Sequence, residues 1–198
     1  MLLSQFTFIT GGARSGKSRF AELLAAHAKR PVIYIATAQI LDDEMALRVK
    51  QHQQQRPSTW RLIEEPLNIR DTLIQLKDED GIILLDCVTL WLTNLLLAGP
   101  SQNDNELFSN ELEPQILDLV KEVAQLAREI KPQVIFVSNE VGQGIVPEYP
   151  LARAYRDLAG RSNQILAHSA DQVYLVVAGF PIEIKHFGEK LLASLLKE

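Results

Sequence analysis

Cysteine is nearly absent: Cys87 stands alone, so no disulfide can form within the chain and a reducing compartment is expected. A basic excess is missing too. With 20 Lys and Arg against 25 Asp and Glu, the net charge of −5 argues against a general nucleic-acid binder, whose phosphate contacts need a basic surface. The 198 residues hold no internal repeat, low-complexity tract or linker, and a single domain over 1–198 is expected. The N-terminal residues lack a basic stretch followed by an apolar signal core, and the expectation is a cytoplasmic enzyme. An unbroken membrane-length run is also lacking. The nearest approach, residues 82–99 (IILLDCVTLWLTNLLLAG), is interrupted by Asp86, Thr89, Thr93 and Asn94, and a charge there is costly in lipid. It reads better as a buried strand over 82–85 ending at Asp86, then a buried helix from about Leu90.

What the chain does have is a phosphate-binding pattern. Gly11-Gly12-Ala13-Arg14-Ser15-Gly16-Lys17-Ser18 contains Gly-x-x-x-x-Gly-Lys-Ser, follows the strand-like Phe6-Thr7-Phe8-Ile9-Thr10 and precedes a helical pattern. Small residues let backbone N–H groups curl around an anion, and the following helix adds the positive end of its dipole. Lys17 would reach the β- and γ-phosphates of a nucleoside triphosphate, and the Ser18 hydroxyl would ligate Mg²⁺. A bare Gly-rich turn is the bland alternative, and the two matching flanks weigh against it.

Strand and helix signals alternate along the rest. Apolar, β-branched runs lie at 31–36 (PVIYIA), 133–138 (QVIFVS) and 173–177 (VYLVV), with a short one at 182–184. Helical stretches fall at 17–29, 42–55, 67–77, 106–130 and 151–168. Continuous apolar strands between amphipathic helices imply an α/β fold with a mainly parallel sheet covered on both faces. With the Gly-rich phosphate loop beside it, the expected fold is a P-loop NTPase, RecA-like. The 106–130 helix carries Leu107, Leu112, Ile116, Leu119, Val120, Val123 and Leu126, a core-facing stripe. Asp86, at the end of an apolar strand, suits a Mg²⁺ ligand held directly or through water; capping the next helix is the other role open to it.

A second segment, 36–60 (ATAQILDDEMALRVKQHQQQRPSTW), places Asp42 and Asp43 at a helix start and Pro57 at its end. Arg48, His52 and Arg56 recur at four-residue spacing and share a helix face. Flanking guanidiniums favour the neutral, nucleophilic imidazole and attract an anion, which suits a histidine that attacks phosphorus. A solvated polar face, supported by Gln51, Gln53, Gln54 and Gln55, is the reading that the pattern alone favours. The apolar side of this helix is thin, Met45 and Val49, so it is expected to lean on a neighbouring subunit. His27, His168 and His186 sit where structural or surface roles are expected. Asn139 to Gly144 is expected to form a loop at the active edge of the sheet. Arg153, Arg156, Asp157, Arg161 and Asn163 form either a charged helix face or a contact to phosphate or subunit.

Four blocks together carry a resemblance: GGARSGKS, then YIATAQILDDEMALRVKQH with the following Arg-Pro and Trp, then LLDCVTLWLTNLL, then VSNEVGQGIVPEYPLARAYRDLAGRSNQILAHSADQVYLVVAGFPIEIK. In this order and spacing, from Phe6 to about Lys185, the chain resembles the bifunctional adenosylcobinamide kinase / adenosylcobinamide-phosphate guanylyltransferase family. The resemblance implies phosphorylation of adenosylcobinamide by ATP or GTP. GMP is then transferred from GTP to the phosphate, giving adenosyl-GDP-cobinamide and pyrophosphate. It implies a guanylyl-histidine at His52, with Lys17 as the other catalytic residue. It puts nucleotide contacts on Gly11 to Ser18, on Ala36, Thr37 and Ala38, on Gln53, Gln54, Gln55 and Arg56, and on Glu64 and Asp86. Ser18 and Asp86 are the metal candidates. A homotrimer is implied as well, with no nucleic-acid partner and no membrane span. Some members carry a second histidine beside the reactive one; this chain has Gln51. A kinase of another small metabolite would share the P-loop and Asp86 but lack a covalent histidine. A ring-forming ATPase that handles macromolecules fits an acidic chain poorly.

Overall fold

The computed structural model describes residues 5–39, 57–98 and 112–195. In chain order the elements are β1 (Phe6–Thr10), α1 (Lys17–His27), β2 (Val32–Ala36), β3 (Arg61–Glu64), α2 (Ile69–Gln75), β4 (Ile82–Asp86) and α3 (Val88–Leu97). There follow α4 (Leu112–Glu129), β5 (Gln133–Val137), α5 (Pro150–Ser169), β6 (Gln172–Val177), β7 (Phe180–Glu183) and α6 (Lys185–Leu195). The seven strands form one sheet in the order β3-β2-β4-β5-β1-β6-β7; the first six are parallel and β7 is antiparallel to β6.

Burial explains the apolar runs. Strands β1, β2, β4 and β5 are covered on both faces, so both parities of side chain are apolar. On one face Phe6, Phe8, Ile83, Leu85, Val134 and Phe136 pack under α2, α3, α4 and α5. Phe6 and Phe136 meet edge to face at 5.2 Å, a geometry that adds ~0.5–1.5 kcal/mol beyond burial. On the other face Ile9, Tyr34, Ile82, Leu84 and Ile135 pack against Ala21, Leu24 and Ala25 of α1. Helices therefore cover both faces, as expected from the alternating pattern. The α4 stripe is buried through Ile116, Val120, Val123, Ala124 and Ala127, with Leu119 and Leu126 packed beside it.

The apolar 82–99 segment is a strand and a helix, and no helix among the described residues is long and apolar enough to cross a membrane. Its helix begins at Val88, one half-turn before the expected start. The sequence reading missed two elements: β3, an edge strand with Arg61, Leu62 and Glu64 exposed, and α6, none of whose residues is buried. The expected helix at 42–55 lies outside the described residues.

Candidate active site

Strand parity and register assemble the site. Glu64 pairs with Ala36, Ala36 with Asp86, and Asp86 with Val137, which in turn pairs with Ile9 of β1. The strand-end residues singled out from sequence thus stand in one row at the carboxyl edge of the parallel sheet, where ligands of open α/β sheets bind. Four strand spacings of ~4.8 Å separate Glu64 from the P-loop strand, about 19 Å, comparable with an extended nucleoside triphosphate.

The P-loop runs from the end of β1 into α1, and its shape depends on two glycines. At Gly11 a Cβ would lie 2.4 Å from the Val176 carbonyl oxygen and 2.7 Å from Ser15 Oγ. At Gly16, the N-cap of α1, φ is 97° and a Cβ would lie 3.2 Å from the Gly179 Cα. The β6–β7 turn is therefore the floor of the loop, and Gly179 N–H donates to the Ser15 carbonyl at 2.8 Å. Arg14 also takes a positive φ, 56°, and is exposed with Gly12 and Ala13. Buried Thr10 Oγ1 and Ser15 Oγ accept and donate no hydrogen bond among the described residues.

Lys17 is only 7% exposed, and its Nζ donates to the Gly12 carbonyl at 3.2 Å. Burial holds its pKa below the usual lysine value, while Asp86 and then Cys87 pull it back up. An anion placed beside the ammonium would offset that desolvation cost by charge attraction. Asp86 and Lys17 therefore share one electrostatic environment. Ser18 follows in the first turn of α1.

Asp86 does not cap the next helix. The N-cap of α3 is Cys87, with no side-chain cap bond, and the Asp86 carboxylate instead accepts from the Tyr34 hydroxyl at 3.1 Å. The Cys87 thiol is buried and pushed up to about 11 by desolvation and then by Asp86, so it stays protonated at neutral pH. Thr37 is fully buried. Its hydroxyl donates to the Cys87 carbonyl at 2.8 Å and accepts the Cys87 N–H at 2.9 Å, and its own carbonyl accepts from Asn94 Nδ2 at 2.8 Å. Ala36 and Ala38, on either side, are partly exposed at the edge.

Neighbouring acids divide their work. Glu65 Oε1 accepts the Leu67 and Asn68 N–H groups at 2.8 and 2.7 Å, serving the start of α2, while Glu64 stays exposed at the end of β3. The loop after β5 lies at the active edge, as expected: Glu140 N–H donates to the Gly11 carbonyl at 2.9 Å. Asn139 Nδ2 reaches Thr89 Oγ1 at 2.7 Å, and buried Asn163 accepts from Ser138 Oγ at 2.7 Å and donates to the Asn139 carbonyl at 3.1 Å. Of the charged α5 residues, Arg153 binds the Pro147 carbonyl at 3.0 Å and Arg161 pairs with Glu113 at 2.7 Å. Those two side chains order the protein's own loop and helix. His27 ends α1 away from the P-loop, His168 lies in the last turn of α5, and His186 lies in α6. His52, Gln53, Gln54, Gln55 and Arg56 lie outside the described residues. Tyr34 was missed; its signal was the strand pairing, which no single segment displays.

Comparison with known proteins bears on this geometry. The description "Cobinamide kinase / cobinamide phosphate guanyltransferase" matches residues 7–184, from β1 through the β6–β7 hairpin. The chain belongs to this family. A Salmonella typhimurium relative, named bifunctional adenosylcobalamin biosynthesis protein CobU, is 49% identical over 179 residues, covering 89% of this chain and 98% of its own. An Escherichia coli protein of the same name is 44% identical, with the same coverages of 89% and 98%. A Pseudomonas aeruginosa protein named CobP is 44% identical over 184 residues, 92% of this chain and 98% of its own. Among solved structures, a type III secretion ATPase superposes with a TM-score of 0.55 at 12% identity, over 93% of this chain and 58% of that one. A Pyrococcus horikoshii protein gives 0.52 at 11% identity, over 93% and 88%. At such identities these two speak for the fold alone, a RecA-like P-loop NTPase sheet in which β5 separates the P-loop strand from the strand bearing Asp86.

Proposed function

We propose that this chain phosphorylates adenosylcobinamide with ATP or GTP and then guanylylates the phosphate through His52. The observation that carries the reading is the row from Glu64 through Ala36 and Asp86 toward the P-loop, found in a member of the cobinamide kinase / guanyltransferase family. In the first step the cobinamide hydroxyl oxygen attacks the γ-phosphorus and the nucleoside diphosphate leaves. In the second an imidazole nitrogen of His52 attacks the α-phosphorus of GTP, and the bond to pyrophosphate breaks. The cobinamide phosphate oxygen then attacks the phosphoramidate phosphorus, and histidine is released.

Lys17 and the loop N–H groups hold the β- and γ-phosphates, and Gly11 to Ser18 wrap them. Ala36, Thr37 and Ala38 with Glu64 lie along the strand ends toward the ribose and base. Gln53 to Arg56 follow the reactive histidine in sequence and serve the phosphate from that side. The donors fit Mg²⁺: Ser18 offers a hydroxyl and Asp86 a carboxylate, both hard oxygen ligands, beside a buried ammonium. No cluster of three or more His, Cys, Asp or Glu able to hold a metal occurs among the described residues, so phosphate and water oxygens would complete the shell. Bound there, Mg²⁺ would neutralise charge on the phosphate oxygens.

The direct test is chemical. Incubation with GTP labelled at its α-phosphate, then denaturation, should leave an acid-labile, base-stable protein adduct that chases into GDP-cobinamide on adding cobinamide phosphate. Absence of any adduct would favour a simple kinase.

A homotrimer in the cytoplasm completes the proposal. Support comes from the exposed apolar face of β7 and α6, with Phe180 75%, Phe187 70%, Leu191 63% and Leu192 61% exposed. Such a face is what a subunit contact buries. Light scattering should give about 67 kDa, three times 22.2 kDa, and Leu191→Asp should lower it. A fully active monomer would overturn the assembly.

A further inference from the structure

We propose that Tyr34 and Thr37 of the β2 edge are positioning residues that together hold Asp86 for its metal. The inference rests on the reading of Asp86 as a Mg²⁺ ligand. It assigns Thr37 a task other than touching nucleotide with its side chain.

The geometry is a two-sided clamp. Strands β2 and β4 are parallel neighbours, with Tyr34 opposite Leu84 and Ala36 opposite Asp86. Side chains two residues apart share a face, so Tyr34 and Asp86 project to the α1 side, where Lys17 also lies. The Tyr34 hydroxyl reaches one carboxylate oxygen, Oδ2, at 3.1 Å and leaves the other for a ligand. The phenol is itself fixed, since Tyr34 is 3% exposed and its ring stacks on Trp60 with centroids 6.5 Å apart. A carboxylate that can rotate about its χ angles presents a metal with several geometries. One held by a buried donor presents a single geometry.

Thr37 pins the main chain. Its hydroxyl is both donor to the carbonyl and acceptor from the N–H of Cys87, at 2.8 and 2.9 Å, so the residue after Asp86 cannot shift along the strand axis. Asn94 closes the assembly from α3, donating to the Thr37 and Pro66 carbonyls at 2.8 and 3.0 Å. With its hydroxyl engaged on both sides, Thr37 has little left for a ligand except neighbouring backbone. The Asp86 side chain is thus held by Tyr34 of β2, and the backbone of Cys87 that follows it by Thr37, the residue just after β2.

The test measures metal affinity apart from turnover. Mn²⁺ binding is followed by electron paramagnetic resonance in the presence of the β,γ-imido analogue of ATP, beside a steady-state Mg²⁺ titration. Tyr34→Phe keeps the ring on Trp60, and Thr37→Val keeps the shape. Each should weaken Mn²⁺ binding about tenfold, the usual effect of removing a carboxylate's outer partner. For Tyr34→Phe, activity should largely return at saturating Mg²⁺. Thr37→Ser, which restores the hydroxyl, should bind Mn²⁺ like the parent, and melting temperatures should separate metal loss from unfolding. Parent-like Mn²⁺ affinity in folded Tyr34→Phe and Thr37→Val, beside an impaired Asp86→Asn, would overturn the clamp alone. Parent-like affinity in Asp86→Asn would overturn the metal reading and the clamp with it. Unfolding of both Tyr34→Phe and Thr37→Val would also overturn the clamp, because the hydroxyls would then hold the fold rather than the ligand.

Discussion

His52→Ala should abolish guanylyl transfer and the labelled adduct while leaving cobinamide phosphorylation in place. The two reactions cut the triphosphate at different bonds. Transfer of the γ-phosphoryl group needs a cradle for the phosphates and a positioned hydroxyl, which the P-loop supplies. Transfer at the α-phosphorus through a covalent intermediate needs a nucleophile, and removal of one typically costs on the order of 10⁴-fold or more. If the helix expected from the sequence forms, Arg48 and Arg56 would flank His52 and favour its neutral imidazole, so replacing either with Gln should slow adduct formation without abolishing it. Kinase and guanylyltransferase rates of the same preparation, with the adduct counted on a gel, decide the matter. Undiminished GMP transfer by His52→Ala would remove this histidine from the chemistry.

Lys17→Ala should cripple both reactions, each by about 10²–10³-fold, the scale of losing one charged donor to a developing phosphate charge. The structure adds a second expectation. Lys17 is buried, its pKa is lowered by desolvation, and its Nζ has the Gly12 carbonyl as its hydrogen-bond partner. Such a group opposes folding until an anion arrives, so the variant should melt no lower than the parent without nucleotide. Nucleotide should raise the parent's melting temperature and the variant's much less. Loss of only one activity would indicate separate nucleotide sites. A lower melting temperature without nucleotide would contradict the desolvation argument.

Legibility followed the range of the interactions. Strands β1, β2, β4, β5 and β6 could be read within a residue or two, because each is a short run dominated by buried β-branched, aliphatic and aromatic residues. The antiparallel β7 was seen only as a short run at 182–184, against Phe180–Glu183 in the structure. Strand β3 was illegible, since an edge strand carrying Arg61 and Glu64 has neither a continuous nor an alternating apolar pattern. Helix α6 was not read from the sequence either; its Phe187, Leu191 and Leu192 remain largely exposed among the described residues.

By itself the sequence determined the P-loop, the acidic strand end, the parallel α/β class and the family. Each is written in contiguous residues whose spacing the local backbone reads directly. Only the tertiary structure decided that Glu64, Ala36 and Asp86 stand in one row, that Glu65 rather than Glu64 serves the start of α2, and that the β6–β7 turn floors the phosphate loop. It also decided what Asp86 does with its carboxylate: Tyr34, 52 residues away, takes one oxygen, and helix α3 is left without a side-chain cap. Strand order sets these partners, and strand order arises from packing the whole sheet between its helices, which no local stretch of chain encodes.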